Sequence, residues 1–349
     1  MKQTLTSRWV RRYFRPKSLA GILLLLSVAH ADLPPELSEE TVRFASGDAS
    51  IAGVVVSPAG DGPFPAIVLI DGSGETDRNN MRDFSIAFAQ AGFVTLAYDK
   101  RGVGESTGDP EAWYYFSIDD LAADAAAGAE FLAMRDDVSK DRIGLFGISQ
   151  GGWVAPLAAT LTDSVSFMAL KSASVTTIGE DRLFERSARL AAEGFSPDEV
   201  AESREMQATY QEFIRTGQGF EQFEHAWHEN ADKRWFSRVY RTDAFLNPEH
   251  RYHQWYATVQ EFDPVPLLSD LSIPVLWLFG DAEHDQLTPV AVSVDRVEGL
   301  QQQGKDYTVH VFPGTDHGIM PIDDPNAFPP YAEPLMQWLN SVVAYGQSP

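Results

Sequence analysis

The sequence predicts an α/β protein whose mostly parallel sheet is covered by helices on both faces and carries an inserted helical cap. Three observations predict it. Apolar strand-like runs recur along the chain, and most of them are separated by segments of helical period, the pattern of a parallel sheet buried on both sides. One connection, 177–262, breaks this rhythm, being charged, helical in period and rich in aromatic residues. The chain has 349 residues and 44% hydrophobic content, enough for a substantial core and for one large domain with an insertion.

In chain order, the first 31 residues read as an export signal. Lys2, Arg8, Arg11, Arg12, Arg15 and Lys17 are followed by an apolar run over 19–28 and by Ala29-His30-Ala31, a small-x-small cleavage site. The apolar run is about half the roughly 20 residues a membrane-spanning helix needs. The expected product is an exported protein, periplasmic or secreted, that starts near Asp32 and has no stable membrane span. Arg11-Arg12 is similar to a twin-arginine signal, without the usual preceding Ser or Thr. The expected organisation is a signal peptide over 1–31, a core over 32–176 and 263–349, and a helical cap over 177–262.

Alternation of apolar and polar residues over 41–57, around Ser46-Gly47-Asp48, predicts an antiparallel hairpin. Strands follow at 66–70, 93–98, 142–148, 166–170, 274–279 and 307–312. Helices are expected at 81–91, 118–135, 150–161, 289–303 and 328–343. Within the cap, Trp227, Trp235, Tyr240, Tyr252, Trp255 and Tyr256 form an aromatic stripe that suits the insertion's own core better than ligand contact.

Charge and composition exclude several classes. The formal net charge is −23, which repels polyanions and makes nucleic acid an improbable partner. With no cysteine there is no disulfide framework, thiolate metal site or cysteine nucleophile. His225 and His228 are three apart, as are His250 and His253, but His-Glu-x-x-His is absent and no third ligand is fixed by spacing, so no metal is expected. No cofactor is implied either.

The chemistry concentrates in 142–155, where an apolar strand meets Gly147-Ile148-Ser149-Gln150-Gly151 and a small-residue helix follows at once. Glycines beside Ser149 allow the sharp strained turn that exposes a serine hydroxyl. A second match, Gly104-Glu105-Ser106-Thr107-Gly108, is followed by Asp109-Pro110, so no helix begins there and Ser106 is read as loop. A serine needs a base and an orienting acid. His317 stands just past the strand at 307–312, on the sheet edge that holds Ser149. For the acid, Asp281, Glu283 and Asp285 compete on the loop after the strand at 274–279. Asp285, before Gln-Leu-Thr-Pro and the next helix, is the preferred candidate. Oxyanion donors are expected from the backbone N–H of Gln150 and from the loop Asp71-Gly72-Ser73-Gly74, with Ser73 preferred and Gly74 the alternative.

The order Ser149, Asp285, His317 along an alternating strand-helix chain resembles the alpha/beta-hydrolase superfamily, over roughly 41–343. Tyr98-Asp99-Lys100-Arg101-Gly102-Val103-Gly104-Glu105-Ser106, Gly72-Ser73-Gly74 with Asp77-Arg78, and Gly-Ile-Ser-Gln-Gly-Gly resemble its bacterial esterases and serine aminopeptidase-like branch. The departure is Asp71, where many members carry His. Asp99 and Arg101 read as a charged loop bracing the nucleophile turn. The resemblance implies an alpha/beta-hydrolase fold and a serine hydrolase acting on a small acyl substrate, preferably a carboxylic ester. Aminopeptidase and thioesterase activities are rivals within the enzymes, and a non-catalytic hydrolase-like binding protein is the rival outside them. An aminopeptidase would need an acidic group in the cap for a free amine, for which Glu221, Glu224 and Glu229 offer charge without a pattern.

Overall fold

A computed structural model describes residues 33–240 and 242–345, so the expected signal peptide lies outside the described residues. The chain runs β1 (Leu37–Ser46), β2 (Ala49–Pro58), β3 (Phe64–Ile70), a 3-10 turn (Arg78–Met81), α1 (Arg82–Gln90), β4 (Val94–Tyr98), α2 (Ile118–Ala133), β5 (Val138–Ile148), α3 (Gly151–Leu161) and β6 (Val165–Lys171). Six α-helices separate β6 from β7: α4 (Ile178–Ala192), α5 (Pro197–Thr216), α6 (Phe220–Asn230), α7 (Phe236–Val239), α8 (Arg251–Val259) and α9 (Val265–Asp270). β7 (Val275–Phe279), α10 (Val290–Gln302), β8 (Tyr307–Val311) and α11 (Ala332–Tyr345) complete it.

The eight strands form one sheet in the order β1-β2-β4-β3-β5-β6-β7-β8. β1 and β2 are antiparallel, joined through a two-residue turn in which Ser46 pairs with Ala49 and Gly47 has φ 57°. β2 is antiparallel to β4, and every pairing from β4 through β8 is parallel. The central strands bury both faces, which is why they read as continuous apolar runs. In β3, Ala66, Val68 and Ile70 join the core shared with α2, α3 and α10, while Ile67 and Leu69 pack on the opposite side with Phe88 of α1 and Leu335 and Leu339 of α11.

The helices between β6 and β7 build an aromatic interior continuous with the core on one face of the sheet. Trp227, Trp235, Tyr240, Tyr252, Trp255 and Tyr256 are all buried. Trp227 meets Phe236 edge-on at 4.8 Å between centroids, and Tyr210 packs on Phe223 at 4.9 Å. Local signals set these helices. Thr177 with Glu180, and Ser196 with Glu199, form capping boxes at the starts of α4 and α5, and α5 ends on left-handed Gly217. Among the described residues no helix is long and apolar enough to cross a membrane.

Candidate active site

Ser149 sits between β5 and α3 with φ 52°, a left-handed angle that a side chain tolerates only under constraint and at a cost of about 1–3 kcal/mol. Close packing supplies the constraint. A Cβ on Gly147 would lie 2.8 Å from the Gly151 carbonyl oxygen, and one on Gly152 would lie 2.4 Å from the Ala173 Cβ. The Ser149 N–H donates to the Lys171 carbonyl at 2.9 Å, tying the turn to β6. The hydroxyl is thereby held at the carboxyl edge of the sheet, at the N-terminus of α3.

Of the three competing carboxylates, Asp285 reaches His317: its Oδ1 and Oδ2 accept from Nδ1 at 3.0 and 3.1 Å. The Asp285 side chain is fully buried, and its Oδ1 also accepts the N–H groups of Leu287 and Thr288, both at 2.9 Å. Asp281 turns instead to the backbone, accepting from Gly314 N–H at 2.6 Å and Glu283 N–H at 2.9 Å. Those two bonds hold its carboxyl below the usual range and fix the start of the histidine loop. Glu283 is exposed.

The His317 ring is 17% exposed. Its network assigns the Nδ1 proton to Asp285 and leaves Nε2 open as an acceptor. Thr288 Oγ1 lies 3.3 Å from Nδ1 and donates to the Ser172 carbonyl at 3.1 Å. Among the described residues no hydrogen bond joins Ser149 Oγ to His317, the looser arrangement common before substrate binds.

Ser172 went unnoticed in the sequence. It too has φ 52°, its N–H donates to Leu278 O, its hydroxyl donates to the His317 carbonyl, and its own carbonyl accepts from Thr288. The end of β6 thus holds all three loops: Lys171 the serine turn, Ser172 the histidine and acid loops. A plain Ser after a strand has no sequence signal for this.

The loop 71–74 packs on Ser149, since a Cβ on Gly72 would lie 3.4 Å from the Ser149 Cβ. Asp71 Oδ1 accepts the Gly72 N–H at 2.7 Å, and its Oδ2 accepts from Asn80 at 3.1 Å. The residue that departs from the common His therefore pins its own loop. Among the described residues the N–H groups of Ser73, Gly74 and Gln150 have no acceptor, so all are available to an anion.

Asp99 and Arg101 brace their own loop and the hairpin rather than the nucleophile turn. Asp99 accepts from the N–H groups of Arg78 and Glu105 at 2.9 and 2.8 Å, and Arg101 pairs with buried Asp124 at 2.7 Å and Asp48 at 3.1 Å. Buried Lys100 Nζ donates to Gln150 Oε1 at 3.1 Å, to Gly74 O at 3.4 Å and to Gly72 O. It thereby ties the loop 71–74 to the residue after Ser149. Burial brings its pKa down to about 8, against the opposing pull of Asp71. Ser106 is loop, as expected, its hydroxyl donating to Asp99 O and accepting from Ala52 N–H.

Three of the four paired cap histidines have structural partners. His250 caps α8 by accepting the Tyr252 N–H at 3.2 Å, and His253 Nδ1 pairs with the Tyr210 hydroxyl at 2.8 Å. His225 lies 3.2 Å from Glu229 on exposed surface. Among the described residues no cluster of three His, Asp or Glu could hold a metal ion.

A strained serine at a strand-helix turn, with an Asp-bound histidine on the next strand ends, is the arrangement of a hydrolase, and residues 62–325 match the family described as serine aminopeptidase, S33. The chain belongs to that family. As an S33 member it is an alpha/beta-hydrolase, and solved structures agree in fold. It superposes on 2,6-dihydroxy-pseudo-oxynicotine hydrolase with TM-score 0.56 at 19% identity, covering 88% of this chain and 68% of that one. For an acetyl xylan esterase from Paenibacillus sp. R4 the values are 0.53 and 19%, covering 90% and 87%. In sequence it is 30% identical to Esterase EstD of Thermotoga maritima over 159 residues, 43% of this chain and 36% of the esterase. This S33 chain therefore matches little more than a third of that esterase's length.

Proposed function

We propose that the protein is an exported serine hydrolase that cleaves carboxylic esters, with Ser149 as nucleophile, His317 as general base and acid, and Asp285 as the orienting carboxylate. One observation carries the reading: the left-handed serine at the sheet edge faces the same loops that hold a histidine hydrogen-bonded to a buried carboxylate. Ser149 Oγ attacks the acyl carbonyl as His317 Nε2 takes its proton, and Asp285 stabilises the imidazolium without becoming protonated. The carbonyl oxygen, now an anion, is received by the N–H groups of Ser73 and Gln150, the latter at the positive end of α3. The alcohol leaves with the proton from His317. Water, deprotonated by His317, then releases the acid and restores the serine.

The esterase preference draws on the 30% identity to EstD and on the better leaving groups of esters. The family's name favours a second reading, cleavage of amides at a free amino terminus. Residues 1–31 supply the export reading, by sequence alone.

The test uses the chain from Asp32 on nitrophenyl esters of increasing acyl length and on amino-acyl anilides, beside Ser149→Ala. Ester turnover should exceed anilide turnover, and the variant should lose about 10⁴-fold or more in kcat. Faster anilide turnover moves the assignment to the aminopeptidase. Equal activity in the variant removes Ser149 from the mechanism.

A further inference from the structure

The first cap helix, α4, carries Arg182 and Arg186 one turn apart. In a chain with 50 acidic and 27 basic residues, an arginine ordinarily finds a carboxylate. Every other described arginine makes an ion pair or a side-chain hydrogen bond. Arg189 of the same helix meets Glu185 at 2.8 Å. Arg182 and Arg186 have neither kind of partner among the described residues.

Both are turned inward rather than lost in solvent. Arg182 Nε is buried without a hydrogen-bond partner, and its guanidinium lies 5.7 Å from the centre of the Trp255 ring. Arg186 is close enough to Tyr210, Tyr240, Tyr252 and Tyr256 to act on all four hydroxyls, yet its side chain stays partly open. The Tyr240 hydroxyl is likewise buried without a partner. A guanidinium withdrawn from water without a direct ion pair or hydrogen bond is costly, and a bound anion removes that cost.

The helix that carries the pair also starts beside the chemistry. Asp181, the residue before Arg182, is within electrostatic reach of Asp285, and α4 begins directly after the segment 172–177 that leaves β6 beside Ser149. Burial pushes the Asp181 carboxyl up to about 7, so near neutral pH much of it is uncharged and opposes an anion weakly.

We propose that Arg182 and Arg186 form an anion-recognising subsite in the cap, and that the preferred substrates carry a carboxylate or phosphate group away from the scissile ester. The guanidinium fork fits either anion, and Arg182 lies over Trp255, which packs with Tyr252 and Tyr114. A free amine would be repelled here. The proposal rests on the serine-esterase reading, and its test separates the two.

Two matched ester pairs are compared as kcat/KM: nitrophenyl hemisuccinate with nitrophenyl butyrate, and acetoxybenzoate with its methyl ester, so that the anion sits on the acyl side in one pair and the leaving side in the other. One anionic member should exceed its neutral partner by about tenfold or more, the worth of one charge-assisted contact. In the double variant Arg182→Met, Arg186→Met that ratio should fall to about one. Neutral members winning both pairs, or an unchanged ratio in the variant, overturns the subsite while leaving the esterase intact. If neither pair is cleaved by the native protein, the esterase reading is what falls. Should the variant not fold, competition on the native enzyme decides: glutarate or inorganic phosphate should inhibit butyrate-ester cleavage competitively and tell the two anions apart, and inhibition by neither overturns the proposal.

Discussion

In the core loop after β4, charge is matched almost atom by atom: Asp99 with Arg78 and two backbone N–H groups, Arg101 with Asp124, and Lys100 with three oxygen acceptors. In the cap helix α4, a few residues from the same site, two guanidinium groups stand without an ion pair or side-chain hydrogen bond, and buried Asp181 is met by the Ser174 hydroxyl. Paired charges hold a geometry, whereas unpaired ones are available to something that arrives. On the proposed subsite this is a division of labour: the core keeps the reacting groups in place and the cap selects what reaches them.

The largest effect should fall within the core's own pairings. Asp285→Asn keeps the shape but loses the charge and the histidine tautomer, so kcat should fall by about 10⁴-fold. Asp281→Asn, at a carboxylate that meets the loop backbone and His284 but not His317, should cost about tenfold or less. Parallel kinetics of the two variants would exchange the roles if the order were reversed.

An intermediate effect is expected from Lys100→Met, which releases the oxyanion loop from Gln150. Removing the support of an oxyanion hole should lower kcat by about 10- to 10³-fold with KM little altered. The preference between anionic and neutral esters should be unmoved, and a shifted preference would blur the boundary drawn between core and cap.

The smallest effect concerns stability in the cap. Asp181 has its folded pKa raised to about 7 from an ordinary 3.8, so the stability it contributes is full below the unfolded value and is lost as pH rises through the folded one. Asp181→Asn cannot ionise. Its Tm should match the native protein's near pH 4 and exceed it by a few degrees near pH 8, as thermal melts across pH would show. A constant gap would mean that the carboxyl titrates normally.

Local chemistry explains what was readable from the chain alone. Period-two hairpin residues, continuous apolar strands and the glycine-flanked Ser149 are each set by neighbours in sequence, and the elements lie within a few residues of their expected bounds. β5 is longer than expected, Val138–Ile148 against 142–148, because Phe64 pairs with Val138 across a register shift and polar Lys140 and Asp141 mask that extension. Candidates for every site role were visible for the same reason. The choice between Asp281 and Asp285 was not, because both follow β7 on one loop and only the fold decides which carboxylate meets a histidine 32 residues beyond Asp285. Lys100 and Ser172 were hidden further, since their work is done on carbonyls and amides that carry no sequence mark. The sequence by itself determined the α/β frame, the serine turn and the residue types for its chemistry. Tertiary structure alone decided which charges are paired and which are left open, because pairing depends on approach between distant segments, and sequence spacing does not encode that distance.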